Sequence, residues 1–157
     1  MSQPISRDFT TKEVMASDTA DRQGIDNTPP PNLMDEARRL AARILQPLRD
    51  EIGQPLNVTS WYRSPALNEA VGGSETSAHL EARAADVWSY GYTALELAYQ
   101  CVMQRAPFDE LIIYPDQGRI HVAIKPSGRD PARELMTKLE GSSYLMGLHD
   151  VSDPVRP

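Results

Sequence analysis

Three side chains able to bind a metal stand apart in this chain: His79, Asp86 and His121. Only three histidines exist in 157 residues, so two at one site would be a strong commitment. Two neutral imidazoles and one carboxylate make a three-point grip suited to catalytic zinc, with a fourth position left for water. Spacing alone argues weakly for it, because a histidine and an aspartate with six residues between them are common by chance. Alternation adds geometry. Ile120, Val122 and Ile124 fall on one face of a predicted strand, which turns His121 to the other. Asp86 alternates with Val87 on a second strand, and His79 arrives from the preceding loop, so one point lies within reach of all three.

The elements that must hold these groups can be read from patterning. Thr10 followed by Glu13, with Phe9 and Val14 beside them, forms a capping box and hydrophobic staple for a short first helix. Gly24 and the run Pro29, Pro30, Pro31 predict a loop. Leu33, Ala37, Leu40, Ala41, Ile44, Leu45 and Leu48 step by three and four, predicting a helix over about 32–52. Pro47 should kink or end it, and Gly53 suits a left-handed stop. Strands are expected over 56–62, 84–88, 110–114 and 119–124, with a helix over 93–104. Pro115, Asp116, Gln117 and Gly118 make the turn between the last two strands. A further helix is expected around 131–140, with a loosely held chain beyond Gly147. The outcome is an α+β fold: a small, mainly antiparallel sheet, helices mainly on one side, and the metal site on the open face.

Composition narrows the function. The net charge is −6 and the sixteen basic residues form no dense cluster, which argues against nucleic acid and anionic membrane as partners. No apolar run reaches transmembrane length and no signal peptide opens the chain. The expected location is therefore a cytoplasm, unless another protein releases the chain. The single cysteine, Cys101, sits on an amphipathic helix and reads as a small buried thiol.

Several motifs in order carry a resemblance. Phe9 to Glu13, Ala20 and Gly24 to Pro29 precede Val58 to Asn68, with its Tyr62-Arg63-Ser64-Pro65 core. Ala70 to Ser74, then Ser77-Ala78-His79 and Ala84-Ala85-Asp86 follow. Together they resemble the zinc D-Ala-D-Ala carboxypeptidase and L-alanyl-D-glutamate endopeptidase family, most closely its phage and prophage branch. The resemblance covers about 8–125 of a single domain spanning 1–157, with 126–157 as a C-terminal extension. It implies a monomeric zinc peptidase, Zn2+ held by His79, Asp86 and His121, acting on peptidoglycan stem peptides in phage lysis or entry, and located in the cytoplasm of an infected or lysogenic bacterium or in a virion. Arg63 would pair with a substrate carboxylate through its planar fork, or form an ordinary loop salt bridge. Ser77 would stand beside the substrate, chiefly orienting the loop.

Two positions depart from the family pattern. The acid expected three residues before the last histidine is Gly118, and the glycine expected after the first is Ala82. The expected base is then Asp116, in the turn, with Glu110 and Glu81 as alternatives. A zinc-binding module without hydrolysis is the alternative function. Trp61 and Trp88 read as core aromatics or groove lining, with core favoured, and His149 as an exposed tail residue.

Overall fold

The computed structural model describes residues 2–150. Six strands form one sheet: β1 (Asn57–Ser60), β2 (Ala84–Trp88), β3 (Glu110–Tyr114), β4 (Arg119–Ala123), β5 (Glu134–Lys138) and β6 (Tyr144–Met146). Their spatial order is β1-β2-β4-β3-β5-β6. All neighbours are antiparallel except β3 and β5, which run parallel. Six α-helices accompany them: α1 (Thr11–Val14), α2 (Asp18–Gln23), α3 (Met34–Leu40), α4 (Gln46–Ile52), α5 (Pro65–Ala70) and α6 (Ala94–Met103). The α+β class with its largely antiparallel open sheet is the one expected from patterning.

The apolar face of the sheet is sealed by the helices. Val87, Leu111, Ile113, Ile120 and Val122 are wholly buried there, joined by Leu40, Ile44, Leu45 and Leu48 from the long helical stretch and Leu97 from α6. Cys101 lies in the same core, and burial pushes its thiol up to about 12, so it is inert. The α1 capping box is present with both hydrogen bonds, and Phe9 and Val14 close the staple within the core.

Two expectations change. The helical stretch does not end early at Pro47. The five residues Ala41–Leu45 widen into a π-helical turn directly before it, and Pro47 enters the first turn of α4. The widened turn is the irregularity with which the helical stretch accommodates the proline ring and runs on past it. The helix expected around 131–140 is instead β5, followed by β6. Glu134, Leu135, Met136 and Lys138 have good helix propensity, but propensity is a weak prior. Pairing with the free edge of β3 overrides it, and Thr137 is fully buried with its hydroxyl donating to the Gly147 carbonyl (2.8 Å). Of the tail beyond Gly147, residues 151–157 lie outside the described chain.

Candidate metal centre

His79 is delivered by a loop that is tied down at every step. Buried Asn27 donates to the carbonyls of Met15 and Tyr62 and accepts the Ser64 amide, so it pins the start of the loop. Ser64 caps α5, whose Asn68 then packs against Gly73. A Cβ on Gly73 would fall 2.1 Å from Asn68 Oδ1, so only glycine fits this approach. Ser77 caps the 3-10 turn Ala78–Glu81 by accepting the His79 amide (3.2 Å). The turn closes at Ala82, with φ 59°. That is the left-handed conformation at which the family pattern has glycine, and a side chain there costs about 1–2 kcal/mol. The Ala82 methyl is fully buried in the core, which offsets part of that cost.

Trp61 connects the core to this loop. Its ring is fully buried, its indole donates to the Ala82 carbonyl (3.0 Å), and its own carbonyl accepts from His79 Nδ1 (2.6 Å). A carbonyl can only accept, so the His79 proton is on Nδ1 and the Nε2 lone pair is directed inward. Trp88 is only half-buried and packs at a tilt of 56° against Tyr90 instead.

The remaining groups come from the sheet's open face. Asp86 and His121 are directly paired across β2 and β4, and Ile112 of β3 lies beyond His121. Ligand atoms of His79, Asp86 and His121 all fall within 4.8 Å of one another. His121 Nδ1 is 3.0 Å from Asp86 Oδ1, and His79 Nε2 is 3.5 Å from Asp86 Oδ2. Arg63 and Arg119 each approach the same carboxylate to 3.5 Å. Burial alone would raise the Asp86 carboxyl, but the hydrogen bond and charge of His121 outweigh it and hold it well below the usual range.

The two imidazoles are perturbed in opposite directions. Burial dominates at His79 and keeps it neutral, against the pull of Asp86. At His121 burial is outweighed by Asp86 on one nitrogen and Glu110 on the other, and its pKa rises to about 9. Glu110 Oε1 lies 3.3 Å from His121 Nε2.

The site opens into a cleft of about 640 Å³, lined by Arg63, Ser77, His79, Glu110 and His121 among others. Asp116 is exposed on the hairpin turn, where its carboxylate accepts the Glu140 amide (2.8 Å). Glu81 pairs with Arg83. Neither lines the cleft. Gly118, where an acid was expected, closes the 3-10 turn at φ 63°, a conformation that favours glycine. His149 is exposed, its ring bonded to the Met146 carbonyl. Arg119 was not singled out from sequence, although its position two residues before His121 on one strand face signals it.

Residues 7–123 match the family model of peptidase M15. The chain belongs to that family. The search of curated proteins returned no match. M15 peptidases are zinc-dependent metallopeptidases, and the residues gathered here fit that ion. His79 Nε2 is buried without a hydrogen-bond partner, facing a carboxylate. Two acceptors face each other there, an arrangement that a shared cation resolves.

Proposed function

We propose that the protein is a zinc-dependent peptidase hydrolysing peptide bonds in the stem peptides of bacterial peptidoglycan, serving phage lysis or entry. The observation that carries the zinc reading is the inward lone pair of His79 set against Asp86 and His121. The wall substrate rests on the resemblance of the ordered motifs from Phe9 to Asp86, and a 640 Å³ cleft is in the range that accommodates a short peptide. No helix among the described residues is long and apolar enough to cross a membrane.

His79, Asp86 and His121 would hold the ion. Zinc, when bound, supplies a Lewis acid that polarises the scissile carbonyl and lowers the pKa of water to about 7. Glu110 is then the carboxylate placed to move a proton. It lies in the cleft beside His121, whereas Asp116 and Glu81 are engaged outside it. It takes a proton from the attacking water and returns it to the leaving amine. Arg63 lines the cleft with part of its fork on Ser60 and Asp86, and it orients the carboxylate ligand while facing the substrate. Ser77 holds the His79 turn and flanks the peptide.

The second reading is a zinc-binding module without turnover, favoured by Gly118 in place of an acid. Wall-derived peptides incubated with the zinc-loaded protein separate the two. Cleavage that is lost in His121→Ala together with the metal supports the peptidase. Stoichiometric zinc with no cleavage of any wall peptide supports the module.

A further inference from the structure

The family match ends at Ala123, yet the cleft does not. Lys125, Pro126, Arg129 and Tyr144, all from the chain that follows β4, form part of its lining. Tyr144 stands on β6, two strands beyond β3, and its side chain interacts with that of Tyr114, whose ring lies under the Arg119 guanidinium (3.9 Å). Arg119 in turn contacts Asp86. The extension is thus linked to the metal centre through side chains of one sheet face.

The charge of this cleft is opposite to that of the chain. Four cations, Arg63, Arg83, Lys125 and Arg129, line it against two carboxylates, while the whole protein carries −6. The four are not equally available. Arg63 is engaged by Ser60 and Asp86, and Arg83 by Glu81 and the Ile124 carbonyl. Among the described residues, the Lys125 ammonium makes only a 3.5 Å contact with Asp109. Arg129 is exposed and shows no side-chain hydrogen bond or ion pair among the described residues. Its fork is open to a planar anion.

We propose that Arg129 and Lys125, with Tyr144 as the adjoining wall, are specificity-determining residues that bind a carboxylate of the substrate, a subsite supplied by the chain beyond the family match. This rests on the peptidase reading for its location relative to the cut bond. Lys125 follows His121 by four residues, at most about 13 Å at the rise of a strand. An extended peptide lying from the metal centre to this wall covers that distance in about four residues. The recognised carboxylate therefore belongs to a residue within about four of the scissile bond, on the side of β4's C-terminal end.

Synthetic pentapeptides carrying one glutamate, stepped through each position, are compared with their glutamine counterparts on the zinc-loaded protein. At one position the glutamate peptide is expected to be favoured about tenfold in kcat/KM, mainly through KM, as one charge-assisted contact allows. In Arg129→Gln that preference falls below about threefold, and Arg129→Lys restores part of it because the charge is kept. Discrimination below about threefold at every position overturns the proposal, as does full discrimination in Arg129→Gln. If neither peptide of any pair is cut, the peptidase reading falls, and the same pairs are compared by dissociation constant. A tenfold carboxylate preference lost in Arg129→Gln then sustains the subsite, and equal constants overturn it.

Discussion

On β4, Ile120 and Val122 point into a face sealed by helices, while Arg119, His121 and Ala123 alternate onto the other face, where His121 and Ala123 line the cleft and Arg119 contacts Asp86. The sealed face is dry and nearly free of charge, so its contribution comes from apolar burial and close packing. The open face gathers a carboxylate, two imidazoles and two guanidiniums within contact distance, an arrangement that satisfies itself only with a proton or a cation between its acceptors. One strand serves both because its side chains alternate, and the cost of each substitution depends on which face it meets.

The largest effect belongs to the open face. His79→Ala should lower bound zinc from about one per chain to nearly none and remove peptidase activity, because three protein ligands are the minimum of such a site. Metal analysis after gel filtration reads the first and a wall-peptide assay the second. Retained zinc would break the assignment of this face. Next, Glu110→Gln should keep the zinc while kcat falls by about 10²- to 10⁴-fold, the scale of a lost general base. Asp116→Asn should leave kcat within about twofold of wild type, since general-base losses need a group in reach of the reacting proton. The reverse result would move the base to the turn.

The sealed face comes third. Ile120→Ala should cost about 2–5 kcal/mol of unfolding free energy in urea, through lost burial and the cavity left behind, with no change in zinc stoichiometry. A loss below 1 kcal/mol, on the same scale, would show that this face is not the packed core that its burial implies. Zinc affinity should also depend on pH. His121 carries a proton below about 9 in the metal-free protein, and zinc needs it deprotonated. Affinity should therefore rise with pH up to about 9, and uptake at pH 7 should release about one proton. Titration calorimetry in two buffers of different ionisation enthalpy measures that proton. The smallest effect is at Ala82→Gly. Relief of about 1–2 kcal/mol of left-handed strain is opposed by about 0.8 kcal/mol for a buried methyl and by glycine's backbone entropy, so stability should move by less than about 1 kcal/mol.

Much of this was legible from short-range pattern. The four strands around the site, the α1 cap and the turn at Pro115 to Gly118 all follow from signals a few residues long. β5 escaped because Glu134 to Lys138 has a helix-forming composition, and the edge of β3 that captures it is more than twenty residues distant. Asp116 looked best placed as a base because it is near His121 in sequence. In the fold it points to the Glu140 amide, while Glu110, eleven residues from His121, lies against its ring.

Residue type and alternation by themselves determined that His79, Asp86 and His121 could meet, since period-two strands send His121 and Asp86 away from their apolar neighbours. Only the tertiary structure decided what surrounds them. The Trp61 carbonyl that selects the His79 tautomer, the two guanidiniums on Asp86, and the cations supplied by the extension all come from other segments of the chain. Side-chain periodicity is local, but hydrogen-bond partners and field are set by whatever the fold brings within a few ångströms, and no spacing along the chain encodes that.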